Sequence, residues 1–224
     1  MTPLSRRRLL VAAAAGSAGA AIGYGARTAT AASTDGGDPS AADIGFCTDM
    51  AAHHVQALAI CQRVIGRDTG DAVQAAAAEV LQNQAIEVGM MRAWLTDWGE
   101  STSTPELVMG WMGAGDGDGV PIDRMQGYAS DDALRELAQL DGLEQGRMFL
   151  EMMREHHVGG VAMAEHAAAV VSTEKVRRLA TTQAQVQTFE ISQYDLLIAG
   201  TYDLDGWVTP ARLETSPWIC EIEY

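Results

Sequence analysis

The sequence predicts an all-α protein, four long helices forming two copies of one helical hairpin joined by a long crossover. Three observations lead there. Apolar residues recur at spacings of three and four in four separate stretches, the pattern of helices with one buried face. Turn and cap residues fall between those stretches. The second half of the chain also repeats the first: Phe46, Met50, His53, His54, Val55 and Ala59 return as Phe149, Met153, His156, His157, Val158 and Ala162, each 103 positions on. The same shift carries Gln82, Gln84, Glu87 and Val88 onto Gln185, Gln187, Glu190 and Ile191, with no gap in either block.

The elements follow in chain order. Ser5-Arg6-Arg7-Arg8-Leu9-Leu10 precedes an Ala/Gly-rich apolar run from Val11 to about Ala26, and then the small residues Ala29-Thr30-Ala31. Residues 1–31 therefore read as a secretory leader whose paired arginines resemble a twin-arginine signal. Its weakly hydrophobic core suits export better than a transmembrane span. The mature chain is expected to start near Ala32, to carry no integral membrane span, and to work outside the cytoplasm, secreted or in the cell envelope or periplasm. Residues 32–42 read as a flexible linker.

The helical domain is expected over 43–199. Repeat one (43–98) opens with a helix over 43–66 that aligns Phe46, Met50, His53, Ala57, Cys61 and Val64 on one face. Gly66-Arg67-Asp68-Thr69-Gly70 breaks it, and a second helix runs over 71–98 until Gly99 stops it. The crossover (99–142) is rich in Gly, Asp, Pro and Met and holds a short accessory helix over 131–140, opened by Ser130-Asp131-Asp132. Repeat two (143–199) reads as helices over 143–171 and 174–199, with Ser172-Thr173 as N-cap residues between them. The tail, 200–224, has no periodicity and is expected to lie across the bundle surface. A helix of about 25 residues spans roughly 37 Å, and the crossover can run back along that length. The result is a ferritin-like four-helix bundle with the hairpins related by a pseudo-two-fold axis.

Composition sets limits. Hydrophobic residues are 47% and charged residues 20%, enough apolar material for a core. Aromatics at 6% argue against an all-β sandwich. Lys+Arg 15 against Asp+Glu 30 gives −15, and losing Arg6, Arg7, Arg8 and Arg27 with the leader leaves 11 against 30. So acidic a surface repels phosphate backbones and excludes nucleic acid as a partner. Cys47 and Cys61 share one predicted helix at a separation of roughly 21 Å, far beyond the ~7 Å of a disulfide. Either can pair with Cys220 in an exported chain.

His53-His54 and His156-His157 fall near mid-helix, as do Glu87 and Glu190, so the pseudo-symmetry brings all six to the centre. Met50, His53 and His54 share one flank, as do Met153, His156 and His157. Adjacent histidines point about 100° apart. One of each pair is thus expected to face the axis while the other takes a second ion, a carboxylate or a backbone group. Imidazole suits copper, zinc and iron, whereas thioether selects Cu(I). Met91 and Met163 add sulfur nearby, and Glu87 and Glu190 are placed to ligate or to orient imidazoles. Met109, Met112 and Met125 read as core filler, Asp116 and Asp118 as flexible turns, and Asp43 and Asp49, whose repeat equivalents are Gly146 and Met152, as capping or solvent residues. A plain structural reading stands beside the metal: buried histidines hydrogen-bonded to glutamates in a core network. Di-iron enzymes use Glu-x-x-His, but Met50 and Met153 occupy the Glu position. No Gly-x-Ser-x-Gly nucleophile motif is present.

Asp43-x-x-Phe46-x-x-x-Met50-x-x-His53-His54 and Phe149-Leu150-Glu151-Met152-Met153-x-x-His156-His157-Val158-Gly159-Gly160-Val161-Ala162-Met163-Ala164 resemble the domain-of-unknown-function 305 family, a ferritin-like helical group. Met125-x-Gly127 resembles that family's Met-Pro-Gly-Met stretch, with Gln126 and Tyr128 as departures. The resemblance implies export and copper binding through Met50, His53, His54, Met153, His156, His157 and Met163. Cys61, matched by Ala164, and Asp43, matched by Gly146, break the repeat. The expectation is an exported metal-binding protein without turnover. Copper is the expected ion, with zinc or iron as alternatives; the rival readings are a metal-free interaction bundle and a ferritin-like redox enzyme.

Overall fold

Ser40 starts the first helix. Its hydroxyl accepts from the Asp43 N–H while its own N–H donates to the Asp43 carboxylate, a reciprocal capping box that opens α1 (Ala41–Cys61). The computed structural model describes residues 38–200; the leader, residues 32–37 of the linker, Cys220 and the tail from 201 onward lie outside the described residues. Among the described residues the chain is mostly helical. After α1 come α2 (Asp71–Trp98), the short strands β1 (Leu107–Val108) and β2 (Val120–Pro121), then α3 (Asp131–Gln139), α4 (Gly142–Val170) and α5 (Glu174–Ile198).

α1 packs along α2, α4 packs along α5, and α1 meets α4, so two hairpins join through their first helices. α1 ends at Cys61, short of the expected 66. The apolar spacing continues to Val64, but that residue is buried from a turn, closed by Arg63 N–H to Ile60 and Val64 N–H to Cys61. α2 stops where expected, at Gly99, whose φ of 77° is the left-handed cap conformation. Thr173 is the N-cap of α5, yet its side chain does not cap that helix. It donates instead to Asp43.

The crossover is more ordered than its composition suggests. β1 and β2 pair antiparallel, Leu107 with Pro121 and Val108 with Val120, around a run of 3-10 turns. Trp111 from that run packs edge-on against Phe46, ring centres 6.0 Å apart. Asp49 is not a solvent residue: it is buried, and its Oδ2 accepts from Met109 N–H at 2.6 Å and Trp111 Nε1–H at 2.9 Å. Asp43 caps as expected but is also buried. Gln56 grips the far end of the crossover with two bonds, Nε2–H to the Ala129 carbonyl and Oε1 from the Ala129 N–H, both 2.8 Å. α3 caps with Ser130 and turns Leu134 and Leu137 inward.

The core falls into two apolar clusters. One gathers Phe46, Cys47, Met50, Met91, Met125 and Met163. The other gathers Ile60, Cys61, Val73, Phe149, Met153 and Tyr194. Between the two, along α1, α2, α4 and α5, lies a set of buried polar residues: His53, His54, Gln84, His156, His157, Gln183 and Gln187.

Candidate metal centre

This mid-helix layer is where the duplicated residues meet. His53 and His156, equivalent positions in the two repeats, stack with ring centres 3.7 Å apart. His156 Nε2–H donates to the His53 carbonyl at 2.9 Å. The other histidine of each pair turns away from the stack, to a carboxylate: His54 Nε2–H donates to Glu87 Oε2 and His157 Nε2–H to Glu190 Oε2, both at 2.7 Å. The two halves part beyond that. Gln183 Nε2–H donates to Glu87 Oε2 at 2.9 Å, whereas its repeat equivalent is Val80. Tyr194 sets its ring edge toward His157 at 5.5 Å, and its equivalent is Met91.

Electrostatics keeps the central stack neutral. Burial depresses the His53 imidazole well below its ordinary value, His54 and His157 add to this, and the backbone of Gln126 and His156 pulls weakly the other way. Burial likewise depresses His156, helped by His53 and His157. The cysteines are protonated: burial pushes Cys47 and Cys61 up to about 12, aided by the Asp43 and Glu190 charges respectively. A protonated buried thiol is a poor metal ligand.

The imidazoles decide whether these residues suit a metal. With Nε2–H committed to an acceptor, a neutral His54, His156 or His157 presents Nδ1 as a bare lone pair, and each of those atoms is buried without a hydrogen-bond partner. A neutral His53 carries one N–H and one lone pair, and neither ring nitrogen makes a hydrogen bond of ordinary geometry among the described residues. Unpartnered buried lone pairs are costly, and a metal ion satisfies them. Among the described residues no group of three or more His, Cys, Asp or Glu is close enough to hold one ion. Met50, Met91, Met153 and Met163 are all fully buried. The donors fit a soft ion bound by few imidazoles with thioether support better than a tetrahedral nitrogen–oxygen site.

The crossover closes over this layer through glycines. Gly127 has φ +79°, and a Cβ there would lie 2.5 Å from the His156 Cα. A Cβ on Gly159 would overlap the Gln126 carbonyl, and one on Gly160 would overlap the Gln187 amide beside His53. The motif reading contained both glycines without a role for them; adjacent Gly in mid-helix is the signal of close approach. Gln183 and Tyr194 carried no signal, since neither has a repeat equivalent of its own type.

Fold and layer together define a class: a duplicated helical-hairpin protein with a buried histidine–glutamate layer. The pattern of the family described as Domain of unknown function (DUF305) matches residues 43–197, and the chain belongs to that family. A Streptomyces coelicolor family protein described as secreted is 34% identical, with 70% of this chain and 92% of that one covered at TM-score 0.64. A family fragment from Deinococcus radiodurans is 25% identical over 73% and 99% of the two chains, TM-score 0.61. CopM in its Cu(II)-bound form is 20% identical over 71% and 97%, TM-score 0.56, a likeness of fold. No curated protein matches the chain significantly. Among the described residues no helix is long and apolar enough to cross a membrane.

Proposed function

We propose that this chain is an exported, ferritin-like four-helix bundle that binds copper, to buffer it or hand it on. The observation that carries the reading is the set of buried imidazole nitrogens without partners, between clusters that hold fully buried methionines. His53, His54, His156 and His157 would supply the nitrogen donors, with Met50, Met153 and Met163 as soft sulfur donors. Glu87 and Glu190 fix the rings of His54 and His157 from the second sphere. Copper supplies an acceptor for these lone pairs; every other feature is the protein's own. Similarity of fold to CopM, solved in Cu(II)-, Cu(I)- and Ag-bound forms, supports copper over zinc or iron. The leader over 1–31 and the description of the Streptomyces relative support export.

The test is a titration of the mature chain with Cu(I), Cu(II) and Zn(II), reading stoichiometry and thermal shift together. Saturable Cu(I) binding is expected, with a stabilisation of about 2.7 kcal/mol at a hundredfold excess over Kd. The double variant His53→Gln/His156→Gln is expected to keep its helicity and lose that binding. Retained stoichiometric binding in the double variant overturns the assignment. A second reading, a metal-free polar network, has the Gln183–Glu87–His54 linkage in its favour. It predicts no metal-dependent rise in melting temperature.

A further inference from the structure

α2 and α5 enclose an open cleft of about 320 Å3 that lies outside the histidine layer but touches its edge. Ala72 and Ala76 from α2 and Val186 and Phe189 from α5 give it apolar walls. Phe189 is 64% exposed, an apolar ring with nothing over it among the described residues. Four residues with polar groups line the same space: Glu79, Glu190, Gln193 and Tyr194.

Of these, Glu190 and Tyr194 have unused hydrogen-bonding capacity. Glu190 Oε2 is taken by His157, while Oε1 has no hydrogen bond among the described residues. Tyr194 is only 2% exposed and lines the cleft, yet its hydroxyl has no hydrogen-bond partner among the described residues. Partial desolvation at the cleft, and then the Glu190 charge, push the Glu79 carboxyl up. Among the described residues no basic side chain lines the cleft to offset the two carboxylates. The other half has no counterpart to this arrangement, because Gln183 already donates to Glu87 and Met91 stands where Tyr194 does.

We propose that the cleft binds a small organic cation, a primary ammonium held by Glu79, Glu190 and the Tyr194 hydroxyl with its apolar body against Phe189 and the alanines. The volume sits at the lower end of small-ligand pockets, of order 300–1,000 Å3. A bare dication would use the carboxylates and leave the apolar walls wet; an uncharged ligand would fill the walls and leave the carboxylates repelling each other. A cation with an apolar body answers both, and the net charge of −15 favours its approach.

The test is calorimetric titration of the mature, metal-free protein near pH ~8, where alkylammonium groups are charged. The probes are 2-phenylethylammonium chloride, the neutral isostere 2-phenylethanol, and magnesium chloride. The expected result is saturable one-to-one binding of the ammonium, about tenfold or more tighter than the alcohol. Glu79→Gln, at an exposed position that leaves the fold intact, weakens it about fivefold, and Tyr194→Phe about threefold. His53→Gln/His156→Gln leaves it unchanged, which separates this site from the proposed copper centre. Equal affinity for alcohol and ammonium, tighter binding of magnesium than of the ammonium, no saturable binding, or indifference to Glu79→Gln each overturns the proposal.

Discussion

The two hairpins agree at their centre and disagree at their ends. At the centre, His54–Glu87 and His157–Glu190 have the same 2.7 Å bond, and Phe46, Met50, Phe149 and Met153 are all fully buried. At the ends the first repeat supplies polar clasps and the second supplies bare backbone. Asp43 of α1 accepts bonds from the N–H and hydroxyl groups of Ser172 and Thr173, in the turn of the opposite hairpin. Its equivalent, Gly146 of α4, lets the carbonyl of Thr69 in the other turn approach so closely that a Cβ would lie 2.7 Å away. Gln56 grips Ala129, whereas its equivalent Gly159 lets Gln126 pack onto the helix. Asp49 holds Met109 and Trp111, and its equivalent is Met152. One contact, between a central helix and the partner hairpin's turn, is thus built two ways. Filled space and satisfied polar groups are required there, by whatever chemistry, while the centre requires particular residues.

The largest effect separating the halves is expected at Asp43. Burial alone would raise this carboxyl, but hydrogen bonds from Ser40, Thr173 and Ser172 outweigh it and hold it well below the usual carboxylate range. Asp43→Ala strands donors of Ser172 and Thr173 in the opposite hairpin's turn and of Ser40 at the start of α1, at a cost of about 3–5 kcal/mol by urea denaturation. Gly146→Ala adds a methyl against Thr69, at about 1–3 kcal/mol. Equal costs would break the comparison. Because the Asp43 value is depressed, its contribution is present above pH ~4 and is lost only as pH falls further, through the folded value.

A second, intermediate effect belongs to the shared centre. His53 and His156 are depressed below the ordinary ~6.5, so the unfolded chain binds more protons as pH falls through that value. The metal-free protein is expected to lose about 1.4 kcal/mol per pH unit for each imidazole below pH ~6.5. Asp43 contributes nothing in that window. His53→Gln/His156→Gln is expected to flatten the dependence, and a chain equally stable at neutral and mildly acid pH would contradict the neutral stack. The crossover sharpens the comparison. Gly159→Ala, whose Cβ would overlap the Gln126 carbonyl, is expected to cost at least as much as Gly146→Ala, about 1–3 kcal/mol. The smallest effect is Gln56→Ala, about 1–2 kcal/mol. Amide exchange should rise near Gln126 in the first variant and near Ala129 in the second.

Much of this arrangement was legible in the sequence because it is periodic or repeated. The bounds of α2, α3, α4 and α5 followed from apolar spacing and caps to within a residue, and the gapless repeat identified the layer that brings His54 to Glu87 and His157 to Glu190. The failures have a common physical origin. Asp49 reaches Met109 and Trp111 across the crossover, and a carboxylate read from its neighbours alone looks solvated. β1 and β2 are two residues each, too short to show an alternating pattern. Gln183 acts on Glu87 from the other hairpin, a contact no local spacing encodes. The misjudged end of α1 arose because Val64 keeps the helical apolar spacing while sitting in a turn.

The stack of His53 on His156 puts a residue against its own repeat equivalent, which is the contact a two-fold axis makes in a homodimer. A lone hairpin with this face would have a self-complementary surface, and every change in its gene would appear on both sides of the axis at once. Joining two copies in one chain removes that constraint. A change such as Asp against Gly at 43 and 146, which a symmetric ancestor would have carried twice or not at all, becomes available one side at a time.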